Sequence, residues 1–152
     1  MMRAAALIIE ANCVALIERR NTSSLLPYYL FPGGHIEIGE TPPEAASREI
    51  WEELGVQIVV QQLVAAVRYH GNTQYYFAAV ITGGVFGSGA GAEMIGVNAP
   101  EDGMHTPLWM PIAHVPAEPV YPQSVAALVV EAAISGWRTE CTRFEDEGRK
   151  RQ

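Results

Sequence analysis

The tightest local constraint on this chain is the stretch "TPPEAASREIWEELG", residues 41–55. It reads as a helix with both ends marked. Thr41 can cap the first free backbone N–H groups, and Glu44, three residues on, completes a capping box. Pro42 falls at the first helical position, where a missing N–H costs nothing. Gly55 supplies a left-handed terminus. The spacing predicts a helix over residues 42–54. On a wheel of about 100° per residue, Ala46, Ile50 and Leu54 share one face and form a packing stripe. Glu49, Glu52 and Glu53 gather on an adjoining face, with Arg48 next to Glu49 and Glu52.

The rest of the chain frames this helix with β-type sequence. Residues 3–10 and 13–19 are apolar runs separated by Ala11-Asn12, a hairpin or two strand segments. Residues 19–27 read as a loop and 28–34 as a short strand ended by Pro32 and two glycines. Residues 56–70 and 73–82 are β-rich and flank Gly71-Asn72, as in a long hairpin. The glycine-rich stretch 83–103 is long for a loop, which points to a functional segment. A short strand is expected around Leu108–Met110 and a second helix over 121–137, with Val125, Leu128, Val129 and Ala132 as its apolar stripe. The order strands, helix, strands, helix indicates one mixed α/β domain, a sheet with helices on its faces, over residues 1–137. Residues 138–152 are dense in mixed charge and read as a helix extension or a tail.

Composition narrows the function classes. A chain of 152 residues, 49% hydrophobic, can bury a core without disulfides or a structural metal. The net charge of −7 argues against a nucleic-acid backbone binder, which needs a basic stripe. An acidic protein acting on an anion would recruit a cation. Cys13 and Cys141 form no C-x-x-C pair and read as reduced thiols, and no window is apolar enough for a leader or membrane span, so a cytoplasmic location is expected.

Carboxylates three and four apart on one helix repel each other in isolation. A bound divalent cation reverses the sign of that effect. Hard oxygen donors suit Mg²⁺ or Mn²⁺, with remaining positions left to water and substrate phosphates.

Residues 34–56 match the pattern G-x5-E-x7-R-E-U-x-E-E-x-G-U, where U is aliphatic. Gly34, Glu40, Arg48, Glu49, Ile50, Glu52, Glu53, Gly55 and Val56 fill all nine defined positions. The chain therefore resembles the Nudix hydrolases. The resemblance implies an α/β/α sandwich with a mixed β-sheet between helices. It implies water attack at phosphorus of a phosphoanhydride, assisted by Mg²⁺ or Mn²⁺. Carried onto this chain, Glu52 and Glu53 are direct metal ligands and Glu49 a further ligand or the general base. Glu40 is an outer ligand or stands behind the ligands, and Arg48 orients the glutamates by ion pairing. The Gly33 carbonyl is an extra metal ligand. The compact domain favours a nucleoside triphosphate or related small nucleotide. An ADP-ribose or dinucleoside-polyphosphate pyrophosphatase is the nearest alternative enzyme, and a homodimer would favour it. A non-catalytic nucleotide sensor is the alternative of another class. No stable nucleic-acid or membrane partner is expected.

Residues outside the motif are candidates for substrate contact. Tyr29, with Tyr28 and Phe31, can stack on a base or pack in the core; His35, Arg19 and Arg20 can meet phosphate or stand as surface residues. Glu93 or Glu101, on the glycine-rich loop, can serve as a base in the manner of some Nudix families. Tyr75, Tyr76 and Trp109 divide between core and pocket wall, while His70, His105 and His114 read as structural or surface residues.

Overall fold

The computed structural model describes residues 2–20, 26–89 and 104–145. Its strands are β1 (Arg3–Leu7), β2 (Ile9–Glu10), β3 (Cys13–Arg20), β4 (Tyr28–Leu30), β5 (Gly33–His35), β6 (Val56–Tyr69), β7 (Asn72–Gly84), β8 (Met104–Pro111), β9 (Val120–Tyr121) and β10 (Thr142–Glu145). Helix α1 spans Pro42–Leu54 and α2 spans Gln123–Ser135, with a 3-10 turn at Ile112–Ala117.

Helix α1 forms as its punctuation dictates. The Thr41 hydroxyl accepts from the Glu44 N–H at 3.3 Å and the Glu44 carboxylate accepts from the Thr41 N–H at 2.9 Å. Gly55 sits at φ 78° and donates to the Trp51 carbonyl. Two sheets form the middle of the molecule. One runs β10-β6-β7-β1-β5 and the other β2-β3-β4-β9, with β8 on the remaining side of β3. The first is mixed: β1 runs parallel to β7, and β6 antiparallel to β7.

The two-residue period of β1 and β3 fixes the layers. Ala6, Ile8, Ala15 and Ile17 face α1 and pack with Ile50 and Leu54. Ala5, Leu7, Val14 and Leu16 face the other way and pack with Val125, Leu128 and Val129 of α2. Helices therefore cover opposite faces, giving the α/β/α sandwich. No helix among the described residues is long and apolar enough to cross a membrane.

Several boundaries differ from the sequence reading. The expected strand over 28–34 is two, because the chain turns at Phe31-Pro32 and passes from one sheet to the other. The turn of the β6–β7 hairpin is His70-Gly71, both at positive φ, as a two-residue hairpin turn requires, and Asn72 already pairs with Tyr69. Strand β8 runs eight residues, because β3 offers it a full antiparallel partner. Its Pro107 and Pro111 are tolerated because, among the described residues, β8 pairs with β3 alone. Helix α2 starts after Pro122, later than residue 121. Within the charged stretch after residue 137, Thr142–Glu145 is a strand rather than a helix extension or tail; it adds to β6 in parallel.

Candidate active site

Arg48 is the hub of the acidic face. Its Nε donates to Glu40 Oε2 at 2.6 Å and its Nη2 to Glu40 Oε1 at 3.1 Å. Nη1 reaches Glu49 Oε2 at 3.1 Å and Glu52 Oε1 at 3.3 Å. Nη2 also donates to the His35 carbonyl at 3.0 Å, tying α1 to the end of β5. The repulsion expected among the glutamates is thus offset by a cation placed between them. The Glu40 hydrogen bond is the main reason the Arg48 guanidinium holds its proton even more firmly than usual. The same bond, with the Glu37 N–H, holds the Glu40 carboxyl below its ordinary range. Burial pushes Glu49 above that range, and Arg48 offsets this only in part.

Glu53 is the buried member of the set. Its residue is 9% exposed, and Oε1 accepts from the Gly33 N–H at 2.8 Å. This locks the Gly33-Gly34 backbone against the helix. Each glycine has its own reason. A Cβ on Gly33 would lie 2.3 Å from the Ala4 carbonyl oxygen and 2.5 Å from Ala5 Cα, because β5 lies close on β1. A Cβ on Gly34 would lie 2.2 Å from Glu49 Cδ, so the absent side chain is the room the carboxylate occupies.

Two cavities meet above this backbone. One, about 330 Å³, is lined by Glu49, Glu53, Gly33, Gly34, His35, Glu37 and His105. The other, about 450 Å³, is walled by Tyr69, Tyr75, Tyr76, Tyr121, Pro122 and Gln74. Arg3, Arg19, Leu30 and Phe31 line both. The arrangement is a carboxylate chamber joined to an aromatic chamber, with two guanidinium groups at the junction. Both volumes lie in the range of small-molecule sites, about 300–1,000 Å³.

The donor set fits Mg²⁺ or Mn²⁺. Three carboxylates, Glu37, Glu49 and Glu53, and a glycine backbone line one chamber. Among the described residues no three His, Cys, Asp or Glu side chains form a closed metal cage. A Mg²⁺ site needs only one or two carboxylates when waters and substrate phosphates complete it. The Gly33 carbonyl lies 3.5 Å from Arg3 Nη2, so a cationic side chain stands beside the same backbone.

The structure gathers Gly33, His35, Glu49, Glu53 and Arg19 around the carboxylate chamber. Glu52 stays on the Arg48 network with its side chain 45% exposed and is not part of that lining, and Glu40 stands behind Arg48. Tyr29 goes elsewhere: it belongs to the core, its hydroxyl lies 3.5 Å from Glu18, and burial raises its pKa. Glu93 and Glu101 lie outside the described residues. Trp109 stacks on Phe86, with ring centroids 4.7 Å apart, away from both chambers. His105, expected as a structural or surface residue, also lines the carboxylate chamber. Arg3 and Gln74 carried no local signal; only the pairing of β1 with β7, which sets Arg3 beside Gln74, brings them to the site.

A capped, carboxylate-bearing helix thus packs on one face of a mixed sheet, with its glutamates beside the Gly33-Gly34 backbone. The NUDIX domain model matches residues 1–128, and the chain belongs to that family. It is 40% identical over 37 residues to a MutT-like protein of Streptomyces ambofaciens, 24% of either chain. It is 43% identical over 47 residues to the 8-oxo-dGTP diphosphatase of Escherichia coli K12, 31% of this chain and 36% of that one. The chain thus spans about a quarter to a third of the length of these two relatives. The fold is similar to an ADP-ribose pyrophosphatase from Streptococcus suis, with a TM-score of 0.64, 18% identity and coverage of 94% and 97% of the two chains. It is also similar to a NUDIX hydrolase from Nitrosomonas europaea, with a TM-score of 0.67, 15% identity and coverage of 95% and 78%. At these identities the likeness is one of fold.

Proposed function

We propose that the protein is a Nudix hydrolase that cleaves a phosphoanhydride bond of a nucleoside triphosphate or similar small nucleotide by water attack at phosphorus. The observation that carries this reading is the joined pair of chambers. A nucleotide has an apolar, stackable end and a polyanionic end. The cavity has an aromatic end and a carboxylate end, with Arg3 and Arg19 between them.

Glu49, Glu52, Glu53 and the Gly33 carbonyl are the groups that would hold Mg²⁺ or Mn²⁺. Bound there, the cation supplies charge neutralisation on the anhydride and lowers the pKa of a coordinated water. The protein's own groups do the rest. Arg3 and Arg19 bind and orient the phosphates. Arg48, clamped by Glu40 and the His35 carbonyl, sets the directions of the Glu49 and Glu52 carboxylates. Glu49 either joins these ligands or serves as the chain's own candidate general base, from its place beside Gly34 in the carboxylate chamber. Glu40 acts through Arg48.

The test is a hydrolysis panel with Mg²⁺ and with Mn²⁺: nucleoside triphosphates, oxidised purine triphosphates, ADP-ribose, NADH and diadenosine polyphosphates. Turnover of a triphosphate supports the reading. Turnover confined to ADP-ribose or the dinucleotides would move the substrate class. Binding without turnover of any of them would make the protein a sensor.

A further inference from the structure

The aromatic chamber contains a side-chain amide that hydrolysis does not use. Gln74 lies on β7 opposite Arg3, in the chamber wall. Its Oε1 accepts a hydrogen bond from the Tyr76 hydroxyl at 2.9 Å. Tyr76 is 5% exposed and packs edge-on against Phe31, with centroids 6.1 Å apart. The hydroxyl is therefore held in place, and it holds the amide. Turning the amide over would leave the hydroxyl proton without an acceptor in a dry position. Gln74 Nε2 has no hydrogen-bond partner among the described residues.

The guanidiniums of the chamber only donate, and the hydroxyls of Tyr69, Tyr75 and Tyr121 can turn either to donate or to accept, so the oriented groups are donors. Among the described residues no Asp or Glu lines the chamber. A wall that presents oriented donors without a carboxylate acceptor discriminates between bases. Guanine and hypoxanthine offer O6 and N7 as acceptors; adenine places an N6 amino donor where O6 would be. Adenine then sets donor against donor.

We infer that Gln74, oriented by Tyr76, is a specificity residue that selects 6-oxopurine over 6-aminopurine nucleotides. The inference rests on reading the aromatic chamber as the nucleoside end of the substrate site. Gln74 touches the base; Tyr76 is a positioning residue that acts through it.

The experiment compares GTP with ATP by kcat/KM, and their α,β-methylene analogues by calorimetry with Mg²⁺, on the whole chain. The wild-type protein should prefer the guanine nucleotide by roughly tenfold to a hundredfold, mainly through KM. Gln74→Leu should collapse that ratio to within about threefold of one. Gln74→Glu, which only accepts, should reverse it. Tyr76→Phe should narrow it, because the amide is then free to turn. Equal use of GTP and ATP by the wild-type protein overturns the inference. So does a Gln74→Leu variant that loses both substrates equally and keeps the ratio. Hydrolysis without base preference defeats this inference alone. A Gln74-dependent preference in binding, without hydrolysis of either nucleotide, defeats the hydrolytic reading alone. Failure of both analogues to bind defeats both.

Discussion

Gly33 and Gly34 are adjacent and chemically identical, yet alanine should act differently at each. At Gly33 the new Cβ meets backbone: the Ala4 carbonyl oxygen at 2.3 Å and Ala5 Cα at 2.5 Å. Contacts between such atoms settle at about 3.5 Å, so β5 must move off β1 by roughly 1 Å. Overpacking of this kind costs about 1–3 kcal/mol, which for a chain of this size is about 2–4 °C in Tm per kcal/mol. The Glu53 hydrogen bond to the Gly33 N–H would be stretched as well. At Gly34 the new Cβ meets Glu49 Cδ at 2.2 Å. That is the far end of a flexible side chain, and Gly34 does not sit at positive φ, so the backbone accepts alanine. The carboxylate retreats by more than about 1 Å, and a shift of that size at a reacting group costs about a hundredfold in rate. Gly34→Ala should therefore keep a near-native Tm and lose turnover, whereas Gly33→Ala should lose several degrees as well. Calorimetry and a phosphate-release assay on both variants separate the outcomes. A Gly34→Ala protein with wild-type turnover would refute the placement of Glu49 against that backbone. Equal melting losses for the two variants would refute the distinction between a backbone clash and a side-chain clash.

Arg48→Lys should lower both stability and turnover, because an ammonium cannot reach Glu40, Glu49, Glu52 and the His35 carbonyl together. A loss of about 1–2 kcal/mol is expected in chemical denaturation. Ile50→Ala should cost about 2–5 kcal/mol, since Ile50 is fully buried between α1 and the sheet. The Glu131 carboxyl should titrate below its ordinary range, because Arg138 donates to both of its oxygens at 2.8 Å. A depressed carboxylate pKa contributes stability above its unfolded value that is lost as pH falls through the folded value. Carboxyl-detected NMR should show Glu131 returning to the ordinary range in Arg138→Ala. An unchanged titration would remove this tie between α2 and the segment leading to β10.

Helix α1 was legible because its signals are local. Thr41, Pro42, Glu44 and Gly55 act on backbone within one turn of themselves. The Arg48 network was legible in part for the same reason, since Glu49 and Glu52 lie one and four residues away. What the sequence hid depends on pairing between distant segments. Strand β10 reads as charged tail because only Phe144 of Thr142–Glu145 carries a large apolar side chain, while its strand character comes from the backbone of β6. Strand β8 was read short because its two prolines lower strand propensity, and β3 overrides them. The place of Tyr29 just before the Gly33-Gly34 turn leaves base stacking and core open, and strand alternation turns it into the core. Arg3 and Gln74 became visible only with the parallel register of β1 and β7.

If the α1 carboxylates hold a divalent cation that supports phosphoanhydride hydrolysis, Glu53→Gln should remove both cation and turnover while sparing the fold. Glutamine keeps an oxygen acceptor for the Gly33 N–H, so the melting temperature should change little. Mn²⁺ affinity, read by titration, and metal-dependent nucleotide turnover should both fall by at least about a hundredfold, since even residues behind a metal's direct ligands cost about 10–100-fold when replaced. A folded Glu53→Gln protein with wild-type Mn²⁺ affinity and wild-type turnover would contradict the account.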